Sequence, residues 1–321
     1  MKHLKHILFT LLAATALLLG SPAQAQAQND LRISYVRSPF NLQMIVMKER
    51  QILEQHLAPL GVNVQWLEIN SGAKQAQALA SGDLDIGGVM NTTSVLMANG
   101  EGNPVKIIAA VARPTDVFAI VAAPNGITSI SELRGKTIAG PKGTVLHQLL
   151  VAALAKEGMS INDVNFIQMD IPQAFAAMQS GNIDAALLAA NFIINAQKEN
   201  ARILTTATGI VTPVLVMTTS DRFLQNHPDW VQATVAAHDQ AWAWIQANPQ
   251  EAIELGARVQ NISLEDAQNL YNWSHFTQRL NASDIQSMEQ DMQFMLDNEM
   301  MRNRIDIAPI VQPQAFENTN P

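Results

Sequence analysis

The sequence predicts an α/β chain folded as two similar lobes, each a parallel or mixed sheet flanked by helices, with the chain crossing between lobes twice. Three observations carry this. Short β-branched runs alternate with helical segments along most of the first two thirds of the chain, the pattern of βα units on a largely parallel sheet. Two stretches, "ALASGDLDIGGVMNTT" (78–93) and "AMQSGNIDAALLAANF" (177–192), repeat one idiom: a helix ending at Ser-Gly, an Asp, then a buried strand. Strand-forming residues also flank two short connections, 113–116 and 208–212.

The elements follow in order. Lys2 and Lys5, the apolar run 7–19 and the small-x-small sites Ala23-Gln24-Ala25 and Ala25-Gln26-Ala27 read as a cleaved export signal over residues 1–25. The apolar run is too short for a membrane helix, which needs about 20 residues. The mature chain is therefore expected to be exported and soluble. Strands are predicted at 31–36, 62–69, 84–89 and 105–112, with helices at 41–57, 73–80 and 92–98, the last capped by Asn91. A second set follows: a short helix at "SELRG", a strand at "KTIAG", helix 144–157, strand 164–169, helix 172–179, strand 183–189, helix 192–200 and strand 202–207. In each repeat glycine supplies the left-handed residue that ends a helix. Asp85 and Asp184 look structural there, capping the turn. The remainder is a strand at 213–220 and helices at 228–247, 249–259, 264–273 and 283–299. Val231, Val235, His238, Trp242 and Ile245 recur at helical spacing, so Trp242 reads as core. The lobes are expected to be 29–115 plus 213–321, and 116–212.

Composition narrows the function classes. The chain has 321 residues, 48% hydrophobic and 15% charged, and a net charge of −8. Loss of Lys2 and Lys5 with the signal makes the mature chain more acidic still, which argues against nucleic acid and anionic lipid as partners. A small anion stays admissible, because local dipoles act at short range. There is no cysteine, so no disulfide framework and no cysteine-anchored lipoprotein, which favours a periplasm as the compartment.

Four pieces in this order, "LRISYVRSPF", "QALASGDLDIGGVMNTT", "ISELRGKTIAGPKGTVLHQLLVAAL" and "FAAMQSGNIDAALL", resemble the periplasmic solute-binding proteins of ABC importers for aliphatic sulfonates, taurine and nitrate. The similarity runs from about residue 31 to residue 204 and is most specific at "ELRGKTIAGPKGTVLHQLL". It implies the type II periplasmic-binding-protein fold, closure on a small organic anion, and delivery to a permease and ATPase in the inner membrane. A monomer without cofactor is expected. The chain departs from the family where many sulfonate binders carry Trp-Asp/Glu-Pro: it has Ala189-Ala190-Asn191, which makes room for a larger or differently charged ligand.

In parallel α/β sheets ligands bind beyond the C-terminal strand ends, where helix N-termini present free N–H groups suited to an anion. Four such points are read here. They are Ser38 with Phe40 and Asn41; Asn91, Thr92 and Thr93; Lys142, Gly143 and Thr144; and Asn191 with Phe192. His147 joins them through the family resemblance. Phe40 and Phe192 would pack an apolar tail, and Asn91 to Thr93 would clamp the anion against Gly143-Thr144. For Phe40 and Phe192 the alternative is plain core; for Lys142, a solvated lysine in a glycine turn; for His147, helix packing. Enzyme signatures are missing: no Gly-x-Ser-x-Gly elbow and no His-x-x-x-His pair occur. "DLDIGG" ends its would-be calcium loop at Ser94 with an aliphatic interior, so no metal site is expected. An enzyme, a thiamine-precursor-type binder or a ligand sensor on the same scaffold are the alternatives.

Overall fold

The computed structural model describes residues 29–36, 40–114 and 116–317; the expected signal segment and Ser38 lie outside them. The chain begins β1 (Asp30–Tyr35), α1 (Leu42–Glu49), α2 (Ile52–Leu57), β2 (Asn63–Glu68), α3 (Gly72–Ser81), β3 (Ile86–Asn91), α4 (Thr92–Gly100) and β4 (Val105–Ala112). The middle holds β5 (Phe118–Ala122), β6 (Thr137–Gly140), α5 (Val145–Lys156), β7 (Asn165–Gln168), α6 (Ile171–Gln179), β8 (Ala185–Ala189), α7 (Asn191–Lys198) and β9 (Arg202–Thr206). Then come β10 (Leu215–Ser220), α8 (Asp221–Asn226), α9 (Pro228–Ala247), α10 (Pro249–Gln260), α11 (Leu264–Ser274) and α12 (Ala282–Asp297).

Two five-stranded sheets result, ordered β2-β1-β3-β10-β4 and β7-β6-β8-β5-β9. In each, the fourth strand runs antiparallel to both neighbours, and the first three are parallel. The antiparallel strand is in each case the one reached by crossing over: β5 enters the second sheet, β10 returns to the first. The two sheets therefore share one topology, and the fold is a two-lobed α/β architecture of the kind the sequence predicts.

The repeated idiom has one structural job in both lobes. Gly82 and Gly181 take φ of 83° and 73°, the left-handed region that glycine enters at no steric cost. The Asp that follows does not cap the turn, as expected, but staples the neighbouring strand. Asp85 Oδ2 accepts from the backbone N–H of Arg32 at 2.8 Å, and Asp184 Oδ2 from that of Thr137 at 2.8 Å. Arg32 lies on β1 and Thr137 on β6, the equivalent strands. Asp85 also pairs with the Arg32 guanidinium at 2.8 Å. The first sheet needs one more close approach: a Cβ on Gly88 would lie 2.2 Å from the Ser34 carbonyl oxygen, which excludes any other residue on β3 there.

Some expectations are corrected. The helix expected over 41–57 is two, because Gln51 adopts φ 54° and breaks it. "SELRG" forms a single 3₁₀ turn at Ile130–Leu133. The strand expected from 183 starts at Ala185. The short helix α8 is not expected from the sequence, and β5 is expected only as strand-forming residues beside a connection. Trp242 is only partly buried, against Phe276 at 6.2 Å between ring centroids. Among the described residues no helix is long and apolar enough to cross a membrane.

Candidate functional site

The strand ends of the two sheets meet across a closed cleft. Its cavity is about 40 Å³ and is walled by Val36, Val89, Phe118, Val145, Leu146, Ile171 and Leu215, with Asn70, Ser71, Asn91 and Thr144 as its polar points. Residues of both sheets line it.

Four helices start at this cavity, and they differ in how their first N–H groups are used. On α4, Asn91 is a true cap: its Oδ1 accepts from Ser94 N at 2.9 Å and Ser94 Oγ at 3.0 Å. The same oxygen reaches across to the other lobe and accepts from Val145 N, the first residue of α5, at 3.2 Å. On α6, the preceding Asp170 pairs with Lys74 of α3 at 2.6 Å, an ion pair across the mouth. The N-caps of α3 and α5, Ser71 and Thr144, make no side-chain cap. Thr144 instead donates its hydroxyl to Pro141 O at 2.8 Å. The early N–H groups of α3, and those of α5 beyond Val145, therefore have no side-chain acceptor at the cap, and partial positive charge gathers there.

What holds α3 in place is a buried carboxamide. Gln75 accepts from Ser34 Oγ at 2.9 Å and donates to the carbonyls of Ile69 at 3.0 Å and Val89 at 2.9 Å. Ser34 Oγ in turn accepts from Gly88 N at 3.0 Å. Buried polar groups persist only when paired in this way, and this network sets the start of α3 against the ends of β1, β2 and β3.

The sequence-predicted residues distribute unevenly around the cleft. Asn91 and Thr144 line it. Gly143 lies beside it, its carbonyl accepting from Ser94 Oγ at 2.8 Å across the lobes. Thr93 turns away, donating to Gln148 Oε1 at 2.6 Å, and the Thr92 N–H donates to Val214 O at 3.0 Å. Phe40 is core: it is 1% exposed, packs on Phe276, and leaves no room for a Cβ on Gly256. Asn41 is equally buried and donates to Val36 O at 2.7 Å, tying the chain after β1.

Lys142 and His147 face a different space, a groove of about 850 Å³ beyond the α4–α5 contact that also touches Met97, Phe166 and Arg302. His147 stacks on Phe166 with centroids 5.1 Å apart. Burial, helped by the nearby Lys142 charge, pulls its pKa down to about 4, so the ring is neutral near pH 7. Asn191 opens α7, and its Oδ1 is buried with no partner among the described residues. Phe192 meets Phe175 edge-on at 5.5 Å. The bulky Trp-Asp/Glu-Pro of the family is replaced by a tight bend, with Ala190 at φ 48°. Sequence reasoning missed Asn70-Ser71-Gly72 and Ile171, although both segments follow strands and obey the same strand-end rule. The available signal was position alone.

Comparison with known proteins accords with this geometry. The NMT1/THI5-like family profile matches residues 57–252. The chain belongs to the NMT1/THI5-like family. A Bacillus subtilis (strain 168) protein named for binding aliphatic sulfonates is 25% identical over 316 residues, covering 96% of this chain and 95% of its own. The taurine-binding periplasmic protein of Escherichia coli (strain K12) is 30% identical over 193 residues, 59% of either chain. Among solved structures, the alkanesulfonate-binding protein SsuA from Xanthomonas axonopodis pv. citri, bound to MOPS, superposes with a TM-score of 0.78 at 22% identity, covering 88% of this chain and 98% of its own. A desulfurization enzyme, DSZB, shares the fold at a TM-score of 0.63 and 15% identity.

Proposed function

We propose that this chain is an exported receptor that captures an aliphatic sulfonate between its lobes and hands it to an ABC permease and its ATPase. The lobes we assign are 29–115 with 213–321, and 116–212, and closure occurs through the two crossovers between them. The observation that carries the reading is the cleft itself: apolar walls on two sides, and the starts of α3 and, beyond Val145, of α5, which have no side-chain acceptor at the cap and come from opposite lobes. The anionic head belongs between those helix starts, where several N–H groups and two dipoles act without a fixed countercharge. The alkyl tail belongs against Phe118, Ile171 and Leu215.

The lining also orders the candidate anions. Nitrate has no apolar part to repay burial of that wall. Taurine carries an ammonium group, and no carboxylate lines the cavity among the described residues. Alkanesulfonates match both halves. The same lining holds no acid, base or thiol among the described residues, which favours binding over catalysis although an enzyme shares the fold. The names and compartments of the relatives support transport from the periplasm.

A thermal-shift series in a sulfonate-free Tris buffer tests this, with butanesulfonate, MOPS, taurine, nitrate and sulfate as probes. A ligand at a hundredfold excess over its dissociation constant adds about 2.7 kcal/mol of apparent stability, a shift of roughly 5 °C for a chain of this size. Butanesulfonate is expected to give the largest shift. A response to nitrate or taurine alone overturns the assignment.

A further inference from the structure

The lobes are joined by a polar relay away from the cleft, buried at Thr93 and Gln148 and half-buried at Asp291. Thr93 Oγ1 on α4 donates to Gln148 Oε1 on α5 at 2.6 Å, and Gln148 Nε2 donates to Asp291 Oδ1 on α12 at 2.6 Å. Helices α4 and α12 belong to the first lobe and pack on one another through Val95, Leu96, Met288, Met292 and Met295. Helix α5 belongs to the second. Gln148 therefore inserts from one lobe between two helices of the other, and both it and Thr93 are 1% exposed. We propose that Thr93, Gln148 and Asp291 form a proton-sensitive latch, in which a protonated Asp291 favours the closed arrangement and an ionised one loosens it.

The chemistry is that of a half-buried carboxylate at an interface between helices, with one neutral donor. Burial pushes the Asp291 carboxyl up to about 6 from 3.8, opposed only by the Gln148 hydrogen bond, and no neighbouring charge contributes. None of the titratable groups on the surrounding elements contributes a charge to it. On α12 they are Asp284, paired with Arg113, Glu289, paired with Arg304, and Asp297, which accepts from Gln293. On α3 there is Lys74, paired with Asp170. Helix α4 has none before Glu101, and α5 has His147 and Lys156. When the lobes part, Asp291 becomes more fully hydrated and returns towards an ordinary carboxylate range. The closed form therefore binds the proton more tightly, and closure strengthens as pH falls from 7 towards 4. His147, at the same interface and held neutral by burial, acts in the opposite sense, so the readout is the difference between wild type and Asp291→Asn.

This latch rests on the clamp reading for its motion but not on the ligand, and its test uses none. The chain has no cysteine of its own, so spin labels at Gln77→Cys on α3 and Ala176→Cys on α6, both exposed, report lobe separation by pulsed dipolar spectroscopy. At pH 7.5 the Asp291→Asn chain is expected to have the larger closed-to-open ratio. That lead should shrink about tenfold at pH 5.0, since the wild type is then largely protonated when closed. Gln148→Leu, which removes the bridge and keeps Asp291, should lower the closed population at pH 5.0. An Asp291→Asn lead that is absent, or the same at both pH values, overturns the proposal, as does a silent Gln148→Leu. A binding assay that rejects sulfonates while the latch behaves as described would fault only the ligand assignment.

Discussion

At the scale of single residues, the most exacting environment is that of His238. It sits on α9 with no exposed surface, and neither ring nitrogen has a hydrogen-bond partner among the described residues. Burial pulls its pKa down to about 4, and the Arg279 charge adds to that while Asp239 opposes it. A histidine whose folded pKa lies below its unfolded value stabilises nothing by protonating. As pH falls through the unfolded pKa of about 6.5, the unfolded chain takes up the proton first, and stability is lost down to about pH 4. The loss from this residue alone is on the order of 2–3 kcal/mol. His238→Leu, of similar bulk, is expected to reduce the drop in denaturation free energy between pH 7 and pH 4.5 by about that amount. An unchanged drop would mean that the ring finds a proton acceptor.

At the scale of elements, legibility divided along physical lines. The Ser-Gly turn of the repeat is legible because glycine has a local reason to be there, the left-handed residue, whereas Asp85 and Asp184 serve a neighbouring strand far off in sequence and are not. Helices α9 and α10 begin with proline at their first position and were placed to within a residue. The break at Gln51 was illegible, since no glycine or proline marks it and tertiary packing of α1 and α2 on α9 decides it. For the site, the helix starts at Asn91 and Thr144 followed from the strand-end rule. Which starts remain uncapped depended on where Asn91 and Thr144 send their side chains, and that requires both lobes in place. Asn91 also yields a sharp prediction. Asn91→Asp would set a carboxylate at the starts of α4 and α5, a good cap for both. It would also repel an anion about 5 Å away by roughly 2–3 kcal/mol at an intermediate dielectric. Calorimetry should show butanesulfonate affinity falling about 30- to 100-fold with thermal stability preserved. Equal affinity would place the anion away from α5.

At the scale of the whole molecule, an acidic chain of net charge −8 is assigned an anionic ligand, and the two fit because recognition is local. Two helix starts meet at a cavity of about 40 Å³, screened from the distant surface charge. The Lys74–Asp170 pair and the Gln148 relay span the lobes on either side of it. The shape of the cleft was beyond the sequence, because contacts such as Asn91 to Val145 and Ser94 to Gly143 join residues of different lobes. The most direct measurement is a crystal structure of the mature chain with butanesulfonate. Sulfonate oxygens are expected within about 3 Å of the early backbone N–H groups of α3 and α5, with the butyl chain against Phe118 and Ile171. A sulfonate seated instead in the Lys142–His147 groove, or held by residues away from both helix starts, would contradict it.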